Sequence, residues 1–307
     1  MRLCYELFTL TGDVKYMDSF ELAYYNAFLA GVFKEGTWGA RGVRGAGCHM
    51  WAAMQAKMNH QHCCVNNMPR AFMRMAESAV MKSSDTLYIN FYEAFFAHFD
   101  VATVAIDNGY FEKGCVNIDV TFTDTPSKIA FRIPAWCESA DITVNGEKAT
   151  AASGYYTIEP NVRTIKVVID FHMQAKLHAF EKPIDPHDQK IDGKTDWKLA
   201  RWLIPNCPSE TKEDIFLREK RCTLTYGPLL LARSKHIDSR DEEMFGASLL
   251  DASFNCTLTY APDERVAYAY NARFEKGDQV IKTRVCNYAS AGNALLKNEG
   301  RFFSIYF

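Results

Sequence analysis

One short stretch of this 307-residue chain concentrates residues that do chemistry. Cys48-His49-Met50-Trp51 is followed by His60-Gln61-His62-Cys63-Cys64-Val65-Asn66-Asn67, which places three cysteines and three histidines within seventeen positions. Thiolates and imidazoles are the donors zinc prefers, in a roughly tetrahedral set. A thiolate beside zinc or another positive charge is deprotonated and nucleophilic at neutral pH. The segment therefore reads as a metal or thiolate site. The same residues also read without chemistry, because cysteine is a small apolar residue often found in cores. No repeated C-x-x-C pair is present to decide between the two.

The elements that would hold this segment are helical. Leu3, Cys4, Leu7, Phe8 and Leu10 recur at helical spacing, and Thr11-Gly12-Asp13 stops that helix and caps the next. A second helix is predicted over Val14 to Val32, ended near Gly31, and a third from about Pro69 to Val80 with Pro at its first turn. Phe33 to Gly47 holds five glycines and reads as a loop. From about Thr86 the period shifts to two. Leu87 to Tyr92, Val116 to Phe122, Lys128 to Ile133 and Thr164 to Ile169 read as strands, and Asn145-Gly146 as a hairpin turn. Later strands are expected over Thr223 to Ala232, Cys256 to Tyr260, Arg265 to Tyr270, Gln279 to Val285 and Phe302 to Phe307. The pattern predicts antiparallel sheets forming a sandwich. Leu177 to Phe216, with four prolines, reads as an insertion or long loop, and no internal repeat is present.

Composition narrows the partners. Hydrophobic residues are 48% and charged residues 23%, which excludes disorder and collagen-like repeats. Lys+Arg 35 against Asp+Glu 37 leaves a net charge of -2, so neither nucleic acid nor an anionic membrane is the expected partner. No apolar run reaches the roughly 20 residues of a membrane span. No secretory leader is read at Met1, and the ten scattered cysteines suggest reduced thiols, so the expected location is cytoplasmic. Met1 falls directly inside an amphipathic pattern, and the chain is expected to lack its beginning.

Several ordered motifs resemble glycoside hydrolase family 127, the β-L-arabinofuranosidase type. They are Leu10-Thr11-Gly12-Asp13-Val14-Lys15-Tyr16, Tyr25-Asn26-Ala27 and Cys63-Cys64-Val65-Asn66-Asn67-Met68-Pro69-Arg70. Leu87 to Tyr92, Arg132-Ile133-Pro134-Ala135-Trp136, Val144-Asn145-Gly146 and Tyr226-Gly227-Pro228-Leu229 follow in the same order, so the resemblance covers nearly the whole chain. It implies an α+β multidomain fold in which the C-terminal remnant of an (α/α)6 six-hairpin barrel precedes an antiparallel β-sandwich region. Residues 1–82 would be helices and active-site loop, 83–234 with 285–307 a β-sandwich, and 235–284 a smaller β element.

The resemblance further implies a retaining glycosidase that cleaves β-L-arabinofuranosides through a zinc-bound cysteine thiolate. Cys63 would be nucleophile and zinc ligand, Cys64 a second ligand, and His60, His62 and Asn66 would line the site. The substrate would be an arabinose-containing oligosaccharide. The family's remaining zinc ligands, in a Glu-x-Cys motif, and its acid/base glutamate are expected upstream of the opening helix, and the 307 residues contain no Glu-x-Cys. Cys4 and Glu6 stand in the wrong order to replace it. The isolated chain is therefore expected to be inactive. A non-catalytic β-sandwich fragment that binds carbohydrate or a partner polypeptide is the alternative reading. A zinc protein of unrelated role built on Cys48, His60, Cys63 and Cys64 is a third. Trp136, Trp197 and Trp202 are read as core rather than sugar-stacking residues. Glu21 is read on a helix surface, and Glu77 and Glu93 carry no partner signal as acid/base candidates.

Overall fold

The computed structural model describes residues 1–33, 36, 38–41, 46–47, 51–54, 63–124, 128–179, 190–191, 194–195, 222–234, 237–238, 250–292, 303–305 and 307. The chain is mostly β with few helices, and it divides into two units. The first comprises Met1–Tyr25 with Asn67–Gln174, the second Asn26–Asn66 with Ala175–Phe307.

In the first unit, α1 (Arg2–Thr11) ends on Gly12 in the left-handed conformation, and α2 (Lys15–Ala23) follows. Met17, Phe20, Glu21 and Tyr24 are the buried face of this second helix, the i, i+3, i+4, i+7 set that one side of a helix presents. α3 (Cys63–Ala79) starts six residues before the expected Pro69, so Pro69 stands inside the helix rather than in its first turn. It has no N–H to give there, and one intrahelical hydrogen bond is lost.

Two sheets follow. A six-stranded antiparallel sheet runs in the order Glu147–Ala152, Ser139–Val144, Thr164–Asp170, Cys115–Phe122, Ala102–Ile106, Phe95–His98. Val116, Ile118, Val120 and Phe122 are buried while Asn117, Asp119 and Thr121 are exposed, the alternation expected of a sheet with one covered face. The second sheet has the order Gly154–Ile158, Lys128–Ile133, Thr86–Ile89, Val80–Lys82, with Thr86–Ile89 parallel to Lys128–Ile133. Its central strand is covered on both faces, since Ile129 through Ile133 are all buried. Tyr88 and Tyr155, which register beside Ala130 and Arg132, carry Phe8 of α1 on one face, with ring centroids 6.1 and 6.4 Å away. The Asn145-Gly146 turn forms as expected, both residues at positive φ (49° and 93°).

In the second unit, strands run in the order Ala175–Ala179, Cys222–Tyr226, Leu229–Ser234, Gln279–Asn287, Ala269–Lys276, Asn255–Tyr260. Phe303–Ser304 pairs with both Leu229–Ser234 and Ala46–Gly47. Ala30, Ala232, Ile237, Cys286, Tyr288, Ala289, Ala291 and Phe303 form its core.

Several expectations need correction. The helix predicted to Val32 is α-helical only to Ala23, then widens into a π-turn at Tyr24–Phe28 and tightens to 3-10 at Leu29–Gly31. Asn26, at the centre of the π-turn, exchanges two hydrogen bonds with Pro228 O and Leu230 N, 2.8 Å each, which accounts for the altered winding. The single strand expected over Thr223 to Ala232 is a hairpin, because Gly227 takes φ 53° ahead of Pro228. The strand expected to open at Arg265 opens at Ala269, because Asp263 captures the backbone N–H and guanidinium of Arg265 in a turn. The stretch read as a loop from Phe33 to Gly47 contributes Gly39–Arg41, which pairs with Trp51–Met54.

Packing at two glycines yields a test. A Cβ on Gly109 would stand 2.0 Å from Cys115 O, whereas one on Gly146 would meet nothing within 4 Å. Gly109→Ala is expected to cost about 3 kcal/mol through overpacking, and Gly146→Ala about 1 kcal/mol through positive φ alone. Urea unfolding of the two variants checks the order.

Candidate functional site

The backbone of Cys63 and Cys64 forms the first turn of α3, where unsatisfied N–H groups and the helix dipole favour an anionic side chain. Asn66 and Asn67 are exposed on the same helix. Cys48, His49, His60, His62, Trp197 and Trp202 lie outside the described residues, as do the side chains of Cys63 and Cys64. Among the described residues, no group of three or more His, Cys, Asp or Glu is arranged to hold a metal ion. Further along α3, Arg74 places its guanidinium 4.5 Å from the centre of the Tyr5 ring and 3.6 Å from Glu6, both on α1, and pairs with Glu77 at 2.6 Å. Glu77 is thereby a surface ion-pair residue.

Glu21 is where the structure departs furthest from the sequence reading. It is wholly buried, not on a helix surface. Its Oε1 accepts the Tyr110 hydroxyl at 2.9 Å and stands 2.8 Å from Arg132 Nη2, and its Oε2 accepts Trp136 Nε1 at 3.2 Å. Arg132, also wholly buried, donates from Nη1 to Asp18 Oδ1 at 2.7 Å and from Nε to Asn90 O at 2.7 Å. The Nη2–Glu21 contact is ionic rather than a directed hydrogen bond, since no N–H of Nη2 points at an acceptor. Burial alone would lower the Arg132 pKa, but the facing Glu21 carboxylate, with Tyr110 and Asp18, holds it above the ordinary value. Burial, then Glu21, pushes the Tyr110 hydroxyl well above its usual range, so it remains a donor.

This cluster is structural chemistry. The Glu21 carboxylate is held by fixed donors and closed off from solvent, so it is not placed to exchange a proton with a substrate, while Asp18, partly exposed, is tied to Arg132 and the Ala135 N–H. Trp136 belongs to it, packed against Tyr110 and Phe171, which agrees with its reading as a core residue. A signal for Glu21 was present in the sequence. It sits with Met17, Phe20 and Tyr24 on one helical stripe.

Two thiols in the second unit are suppressed. Burial pushes Cys222 up to about 11 and Cys256 up to about 12. Among the described residues no disulfide joins Cys4, Cys115, Cys137, Cys222, Cys256 and Cys286. At pH 8, iodoacetamide is expected to label Cys222 about a hundredfold, and Cys256 about a thousandfold, more slowly than an ordinary exposed thiol. Peptide mass spectrometry of native protein reads this, and equal labelling of all cysteines would contradict it.

Comparison with known proteins accords with this architecture. Residues 86–174 match the family described as Beta-L-arabinofuranosidase, GH127 middle domain. No curated protein sequence matches the chain. A GH127 β-L-arabinofuranosidase from Geobacillus stearothermophilus T6 superposes with a TM-score of 0.63 at 17% identity, over 99% of this chain and 47% of that one. A structure described only as a glycoside hydrolase gives 0.62 at 18%, over 99% and 50%. A GH127 β-arabinofuranosidase gives 0.67 at 15%, over 99% and 47%. The chain thus shares their fold and spans about half their length. No helix among the described residues is long and apolar enough to cross a membrane. Residues 86–174 are thus similar to the middle domain of the GH127 β-L-arabinofuranosidases, and the chain as a whole shares the fold of the solved glycoside hydrolases.

Proposed function

We propose that this chain is the portion of a retaining β-L-arabinofuranoside hydrolase that carries the nucleophile helix and the middle domain. The observation that carries the reading is the order of parts: a helix opening on Cys63-Cys64 ends at Ala79, and the family's middle domain begins at 86. The substrate class is an arabinose-containing oligosaccharide, in keeping with the activity named for the solved GH127 structures. α1, α2 and α3 would be the last helices of an (α/α)6 barrel.

In this reading the Cys63 thiolate attacks the anomeric carbon, the glycosidic oxygen leaves with a proton, and water then hydrolyses the thioglycosyl linkage. Cys64 is a metal ligand, and His60, His62 and Asn66 line the sugar site. Adjacent thiols at a helix N-terminus, near imidazoles, form a donor set that suits Zn2+. Bound there, the ion would hold Cys63 as its thiolate. No Glu-x-Cys motif is among these 307 residues, and the resemblance implies that the acid/base lies upstream of the opening helix. The isolated chain is therefore proposed to be inactive.

Two measurements on the full chain test this. Incubated with an aryl β-L-arabinofuranoside it should release aglycone no faster than buffer. In competition with a chromophoric chelator, Cys63→Ser and Cys64→Ser should each weaken zinc binding by roughly 10-fold or more. Zinc binding unchanged by both substitutions would defeat the proposed ligand set and leave the carbohydrate-binding sandwich as the better reading.

A further inference from the structure

The matched domain spans 86–174, yet the carboxylates that face its buried arginine lie at positions 18 and 21. We infer that the face of this domain around Arg132 is a docking surface for an acidic helix, that α2 is its built-in partner, and that the domain is not an independent module. Donors converge on the two acids from fixed positions. Arg132 Nη1 and the Ala135 N–H reach Asp18 Oδ1 at 2.7 and 3.2 Å. Arg132 Nη2 and the Tyr110 hydroxyl reach Glu21 Oε1 at 2.8 and 2.9 Å, and Trp136 Nε1 reaches Oε2 at 3.2 Å.

Asp18 and Glu21 stand three residues apart, the spacing that puts two side chains on one helical face. A helix with amides there would leave Arg132 buried without a counter-charge, and one with lysines would be repelled. The apolar half of the contact is Phe20 against Phe91, ring centroids 5.4 Å apart, and Phe91 also underlies the guanidinium at 5.3 Å. Removing the helix would leave Asn90 O as the remaining side-chain partner among these contacts, and a buried charge without its opposite is strongly destabilising. The strands of 86–174 should therefore hold their protection only while the acid pair is seated.

Hydrogen exchange of the full chain, read by mass spectrometry, tests this with Glu21→Gln, Asp18→Asn and, as a control on the same helix, the exposed Lys15→Ala. In Glu21→Gln, amides of Val116–Phe122 and Thr164–Asp170, which lie outside the polar partners Tyr110, Arg132 and Trp136 of residue 21, should exchange at least about tenfold faster, in step with those of α2. Lys15→Ala should leave them unchanged. If Glu21→Gln does not accumulate as folded protein, Asp18→Asn, whose carboxylate is partly exposed, carries the same comparison. Wild-type protection of these strands in either folded acid variant, with faster exchange confined to α2, would overturn the inference.

Discussion

A guanidinium with no access to water constrains the first unit of this protein. Arg132 lies in the middle strand of a sheet covered on both faces. Ionised arginine cannot escape burial by losing its proton. Compensation must therefore come from the chain. Asp18 and Glu21 supply charge, Asn90 a carbonyl, and Phe91 a ring face. Each supplier is fixed in turn: Asn90 is tied to Ser78 and Tyr155, Glu21 to Tyr110 and Trp136, and Tyr92 closes back onto Arg132 O. A network of this kind is not a large net source of stability, because desolvation offsets much of the attraction. Its effect is to admit one seat for α2.

Much of this was legible in the sequence, and the illegible parts share a cause. The strands at 116–122, 128–133 and 164–169 and the Asn145-Gly146 turn follow from the spacing of apolar residues and from positive-φ residues, which are local properties. Glu21 was misread because it was judged by its own helix. A glutamate on a helix looks outward until the strand that carries its partner, Arg132, is known to face it. The π-turn at Tyr24–Phe28 is of the same kind, since the partners of Asn26 are about two hundred residues away in sequence. The Gly227-Pro228 hairpin, by contrast, was marked by its own residues.

The motifs that carried the family resemblance divide in the same way. Arg132 to Trp136 docks a helix, while Asn26 and the Tyr226–Leu229 turn hold each other within the second unit. These residues identify the fold because they are parts of its framework. The Cys63-Cys64 pair is different. It stands at the start of a helix whose residues 66–77 are mostly exposed. The chemistry proposed for the pair rests on the residue types and on the middle domain that follows it.

The central claim is that Arg132 and Glu21 act as one unit, and a double-mutant cycle in the full chain measures this directly. With Glu21→Gln, Arg132→Met and the pair compared by urea unfolding, each single change should cost about 3 to 5 kcal/mol. The double variant should then cost at least about 2 kcal/mol less than the sum. Single costs that add within about 0.5 kcal/mol would mean that the two residues do not depend on each other.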